Sequence, residues 1–151
     1  MTDPHKNPFK IKDEDWEKIA QIHAMIPEFG NDPGADHYRD RCAGHDFIAI
    51  AAYAGNEAAG YVVAYDRYGD GSFYCWMAAV VPAHRKGGAL TALMHDLEDR
   101  ARRAGYTAIR IKTRNDKTAM LRWLVANGYM FTAIDVRAPL SGTRLHLQKT
   151  I

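Results

Sequence analysis

The stretch VVPAHRKGGALTAL, residues 80–93, constrains the fold more than any other part of this chain. Two β-branched apolar residues end a strand-like run, Pro82 interrupts it, and His84, Arg85 and Lys86 lead into Gly87 and Gly88. An apolar stripe then begins, with Leu90, Leu93, Met94, Leu97, Ala101 and Ala104 recurring at helical spacing. The first N–H groups of such a helix have no intrahelical partner and carry a partial positive charge. After a tight glycine turn they form an anion site, and Arg85 and Lys86 would add charge to it. A pyrophosphate suits several amides plus side-chain donors better than a carboxylate does. The same residues also suit a plain strand-to-helix turn carrying solvated charges, so the loop has to be read with its neighbours.

Those neighbours divide into two periodicities. FKIK, residues 9–12, alternates like a first strand. DEDWEKIAQIHAMI follows as an amphipathic helix, with Asp13 as N-cap and an end before Pro27. ADHYRDRCAG is a short second helix before Gly44. From residue 46 the period becomes two: DFIAIAAYAG, AAGYVVAYDR and SFYCWMAAVV are three strands of an antiparallel meander. Beyond the glycine-initiated helix, for which Gly105 is the left-handed stop, TAIRIKT is a fifth strand. KTAMLRWLVAN is a helix ended by Gly128, and YMFTAIDV and RLHLQK are closing strands. The order β-α-α-β-β-β-α-β-α-β-β predicts an α+β, or mixed α/β, fold with a mostly antiparallel sheet flanked by helices.

At 151 residues the chain is expected to form one domain, residues 1–151. Lys and Arg number 20 against 18 Asp and Glu, a net charge of +2, which argues against a dedicated nucleic-acid binder. Cys42 and Cys75 lie far apart and form neither a disulfide framework nor a zinc site. The other histidines, His5, His23, His37, His45, His95 and His146, show no metal spacing. The opening residues MTDPHKNPFK lack a signal peptide's apolar core, and no apolar run approaches the roughly 20 residues of a membrane span. A cytoplasmic protein without a membrane partner is expected.

Neither G-x-G-x-x-G nor G-x-x-x-x-G-K-[ST] is present, which removes the dinucleotide and triphosphate loops. Strand, V-x-P, arginine, glycines and helix in that order resemble the acetyl-CoA site of the GNAT acetyltransferase family. Its signature [QR]-x-x-G-x-[GA] is matched at its first four positions by Arg85-Lys86-Gly87-Gly88-Ala89-Leu90, while Leu90 stands where the family has Gly or Ala. TRN after the fifth strand and NGY after the next helix are similar to the family's N-x-x-A…G-F stretch. The resemblance is strongest over residues 72–129.

The resemblance implies acetyl-CoA as cosubstrate and transfer of its acetyl group to a primary amine of a small molecule or peptide. Val80 and Val81 would hold the cofactor through their main chain, and the Val80 N–H would polarise the thioester carbonyl. Arg85, Lys86, Gly87, Gly88, Ala89 and Leu90 would surround the pyrophosphate, with Asn115 at the far side. As structural residues, Arg85 and Lys86 are solvated charges and Asn115 is a helix N-cap.

The family's catalytic pair is missing: SFYCWMAAVV contains no carboxylate, and Leu124 stands where relatives have a tyrosine acid. Tyr74, Cys75 and His84 remain, with Tyr74 as the candidate catalytic residue; each also reads as an ordinary core or surface residue. A non-catalytic acyl-CoA-binding or sensing module of the same fold is the alternative. In residues 27–45 and just beyond, Asp32, Asp36, Asp40 and Asp46 could receive a cationic amine, or form a solvated helix face. Exposed closing strands permit a homodimer.

Overall fold

The computed structural model describes residues 7–30 and 33–151, so His5 and Asp32 lie outside the described residues. The elements are β1 (Lys10–Asp13), α1 (Trp16–Ala24), α2 (Ala35–Cys42), β2 (Phe47–Ala54), β3 (Glu57–Tyr65) and β4 (Ser72–Val80). They continue as α3 (Ala89–Arg103), β5 (Ala108–Arg114), α4 (Thr118–Ala126), β6 (Met130–Asp135) and β7 (Arg144–Thr150). This is the predicted order. One boundary differs. Asp13 pairs with Ile50 as the last residue of β1, so α1 starts later and Asp15 is its N-cap, accepting from the Lys18 amide at 2.8 Å.

The strands form one seven-stranded sheet in the order β1-β2-β3-β4-β5-β7-β6, in which β4 and β5 are the parallel pair. Alternation along the strands separates two cores. Ile50, Val62, Phe73, Ile109 and Leu147 point to one face and bury Leu93 and Leu97 of α3 and Leu124 of α4. Tyr61, Val63, Tyr65 and Tyr74 point to the other, against Ile19 and Ile22 of α1 and Tyr38 of α2. α3 lies close to the sheet at Gly60, where an added Cβ would come within 2.5 Å of the Ala79 carbonyl and 3.2 Å of Leu93. Gly105 and Gly128 take left-handed conformations just beyond α3 and α4, as their positions predict.

β4 and β5 pair only over residues 72–75 and 108–111. At that point a bulge enters β4: Met77 opposes Val63 and Cys75 opposes Ala64, leaving Trp76 as the extra residue. A bulge bends its strand, and β4 follows β3 while the rest of β5 stays paired with β7. A wedge-shaped gap opens between the two parallel strands.

The sheet's far half is tied to α3 through a buried ion pair. Glu98 is 3% exposed and accepts from Lys149 Nζ at 2.7 and 3.2 Å. Lys149→Ala should therefore destabilise the protein by about 3 kcal/mol, because it strands a buried carboxylate. A Glu98→Leu/Lys149→Met double variant should recover most of that loss; urea unfolding midpoints check both.

Candidate active site

Two contiguous cavities meet at the gap and share Glu28, Phe29, Ala78, Lys117 and Met120. The first, about 670 Å³, lies on the α3 side and is lined by Val80, Lys86, Gly88, Ala89, Leu90 and Trp123, among others. The second, about 520 Å³, lies between the parted strands and is lined by Tyr74, Trp76, Lys112, Arg114 and residues around them.

The start of α3 has the properties of an anion cradle. Gly88 is its N-cap with φ +90°, and no side chain caps the helix. The first intrahelical bond is from Ala92 N to Gly88 O, so the amides of Ala89, Leu90 and Thr91 have no intrahelical acceptor. The positive φ explains the glycine at 88, since other L-residues resist that conformation. Gly87 has an ordinary φ and is absent from the cavity lining; a Cβ there would make normal contacts with His84 and Phe9. Lys86, not Gly87, adopts the second left-handed conformation, at φ +65°. Leu90 is half-buried, packing against the core while its helix start lines the cavity.

Arg85 lines the cavity but is engaged. Its Nη1 and Nη2 donate to Glu28 at 2.7 and 2.9 Å, and its Nε donates to the Val80 carbonyl at 3.3 Å. The guanidinium holds the Glu28 carboxyl down at about 2, so this acid stays charged near neutral pH. Glu28 bridges the mouths of both cavities and was not singled out in the sequence, where a lone glutamate beside Pro27 carries no motif.

Two expected residues are placed elsewhere. The Val81 amide donates to Ala59 O at 2.8 Å and its carbonyl accepts from His84 N at 2.9 Å, so its main chain is not free for a ligand. Strand alternation turns the Val80 main chain the other way, into the gap, as its contact with Arg85 shows. Asn115 is neither a helix cap nor a lining residue. Its amide donates to Thr143 O at 2.9 Å and its Nδ2 to Leu140 O at 3.2 Å, pinning β5 to the loop before β7. Lys117 is the N-cap residue of α4 instead, and Asp116, Lys117 and Thr118 line the cavity.

Tyr74 reaches the second cavity from β4, with its ring against Tyr65 and Tyr68 and the Arg67 guanidinium 5.1 Å from the ring centre. Burial raises its hydroxyl pKa, so it remains protonated at neutral pH. Cys75 is enclosed in the opposite core, and burial pushes its thiol up to about 12, which removes it as a nucleophile. His84 Nε2 lies 3.0 Å from Glu57, at the cavity rim. Leu124 is fully buried, so no acid side chain enters from that position.

Of the expected acids, Asp36, Asp40 and Asp46, the ones among the described residues, line neither of the two contiguous cavities. Asp36 pairs with Arg39, and Asp46 accepts from Tyr106. From α2 it is Arg41 that reaches the gap. Among the described residues no group of His, Cys, Asp and Glu could hold a metal, and no helix is long and apolar enough to cross a membrane.

A search of curated proteins finds no match. Solved structures show the same fold at low identity. An IAA acetyltransferase from Bacillus cereus ATCC 14579 superposes with a TM-score of 0.78 at 14% identity, over 95% of this chain and 99% of that one. The ribosomal-protein-S18-alanine N-acetyltransferase from Escherichia coli gives 0.77 at 13% identity, over 95% and 94%. A Bacillus subtilis acetyltransferase in complex with CoA gives 0.74 at 19% identity, over 95% and 97%. The model of the acetyltransferase (GNAT) family matches residues 13–129, including the parted strands and the α3 cradle, and the chain belongs to that family.

Proposed function

We propose that this protein transfers the acetyl group of acetyl-CoA to a primary amine, which attacks the thioester directly. The observation that carries this reading is the gap between β4 and β5, with an uncapped helix start at one side and a separate cavity at the other. A ligand with a pyrophosphate and a long arm fits that arrangement. The free amides of Ala89, Leu90 and Thr91, with Lys86 and Lys117, would take the phosphates, and the Val80 main chain would take the arm. Acetyl-CoA would supply an activated acyl group with a good leaving thiolate. The Val80 amide is directed into the gap, where it can donate to the thioester oxygen and stabilise the charge that develops there. Tyr74, kept protonated by burial, is a proton donor rather than a base.

The second reading, an acyl-CoA-binding sensor, is favoured by one observation: Leu124 fills the core where relatives place a tyrosine. Calorimetric binding of acetyl-CoA together with CoA release in an amine screen separates the two. Binding without thiol release for any amine would support the sensor.

Gly88→Asp tests the cradle. Aspartate tolerates the left-handed conformation better than most residues, so the melting temperature should change little. Its carboxylate at the helix start should weaken acetyl-CoA binding by about tenfold or more. An unchanged dissociation constant would remove the phosphates from α3.

Glu28→Gln should act in the opposite direction. It frees Arg85 and removes an anion from the cavity mouth, so acetyl-CoA should bind several-fold more tightly, and the gain should shrink as salt is raised. Weaker binding would mean that the Arg85–Glu28 pair itself shapes the site. For catalysis, Tyr74→Phe should lower kcat on the order of 10²-fold with acetyl-CoA affinity unchanged. A kcat within about twofold of the parent would leave Tyr74 as a packing residue.

A further inference from the structure

The cavity between the parted strands is a concentration of positive charge in a chain whose net charge is only +2. Arg41, Lys112, Arg114, Lys117 and Arg144 line it, and none of them has a carboxylate within ion-pair distance among the described residues. Glu28, the acid in the lining, is already held by both terminal nitrogens of Arg85. Asp135, opposite Arg144 on β6, is 3.0 Å from His146 Nε2, and Asp70 is 2.9 Å from Arg110.

The cations are set against one another rather than dispersed. Arg114 and Arg144 are direct cross-strand partners on β5 and β7, an arrangement that costs stability when the charges are alike. Arg144 Nε is buried with no hydrogen-bond partner among the described residues, a donor without an acceptor. Arg41 is fixed by donating from Nε to the Tyr65 hydroxyl at 2.9 Å and by lying 4.9 Å over the Trp76 ring, which leaves its terminal nitrogens for a ligand. Burial, then Arg67, Arg144 and Arg41, hold the Lys112 ammonium below its usual pKa. An anion in the cavity would offset the repulsion among these cations.

The cofactor's phosphates do not account for the cluster. Lys117 borders both cavities, but Arg41, Lys112, Arg114 and Arg144 line only the one remote from the α3 cradle. The cavity's volume, about 520 Å³, suits a small acceptor.

We propose that the acceptor is a small anionic amine, one whose own carboxylate or phosphate is received by Arg144, Lys112, Arg114 and Arg41. This rests on the acetyl-transfer reading above. The same charges bear on the missing base. A cationic surround disfavours the ammonium form of a bound amine and lowers its pKa, so a neutral nucleophile is presented without a carboxylate on β4. The nitrogen forms a bond to the acetyl carbon as the carbon–sulfur bond breaks; its surplus proton passes to solvent, and the thiolate leaves and is reprotonated as CoA.

The test uses the full chain saturated with acetyl-CoA, or with CoA for binding alone. L-glutamate and O-phosphoethanolamine are the carboxylate and phosphate arms; L-glutamate dimethyl ester and spermidine are the uncharged-ester and cationic controls. Calorimetry reads binding to the CoA complex, and thiol release reads turnover. At least one anionic amine should bind and exceed both controls by about tenfold or more in kcat/KM. Arg144→Gln and Lys112→Gln should each lose about tenfold or more of that preference while acetyl-CoA affinity holds. The proposal is overturned if spermidine or the ester binds as well as the anions, if neither anion binds at millimolar concentration, or if these variants lose acetyl-CoA affinity instead. An anion that binds without thiol release would uphold the anion site and count against acetyl transfer, so the two failures are distinguishable.

Discussion

The site exists because β4 and β5 stop pairing. Two adjacent parallel strands that separate within a sheet leave main-chain donors and acceptors facing a gap, and such groups need partners. Here the separation starts at the Trp76 bulge, which keeps β4 with β3 while β7 retains β5. The Val80 carbonyl already recruits the Arg85 guanidinium from the gap. The opening also joins the sheet's two faces, so that a ligand entering from the α3 side reaches a cavity bordered by α2.

Contacts on both sides of the opening hold its edges in place. α3 lies against Gly60 and is held to β7 by the Glu98–Lys149 pair, while Trp123 of α4 donates to Thr91 of α3 at 2.8 Å. These contacts set the direction of the uncapped α3 amides. On the opposite face the rings of Tyr38, Tyr65, Tyr74 and Trp76 pack together, with Tyr74 and Trp76 lining the cavity between the parted strands. Charge is divided unevenly: Asp13, Asp96, Glu98 and Asp99 are matched to nearby cations, whereas Arg41, Lys112, Arg114, Lys117 and Arg144 at the gap have no carboxylate within ion-pair distance among the described residues.

Glu28 links the two halves. It holds Arg85 at the entrance of one cavity and lines the other, so a phosphate at the α3 cradle and an anion in the gap would both lie near it. Its partner Arg85 was legible from the signature, but Glu28 lies 57 positions away in the chain. No local pattern joins them.

Much of the architecture was written in short-range pattern. Alternation marked the strands, the apolar stripe marked α3, and Gly88, Gly105 and Gly128 stand where the backbone turns left-handed. The uncapped start of α3 was legible for the same reason, since it is made by consecutive residues at one helix start. What depends on strand partners was not. The Val81 amide is used by Ala59, Asn115 is used by Leu140 and Thr143, and Asp36 of α2 is paired with Arg39. The basic cavity is assembled from α2, β5, the start of α4 and β7, where Lys112 and Arg114 alternate with Ile111 and meet Arg144 only through antiparallel register. Sequence by itself determined the elements and the α3 cradle, because both arise from neighbouring residues. Only the tertiary structure decided where the strands part and which charges meet there, because hydrogen-bond register joins residues that the chain keeps far apart.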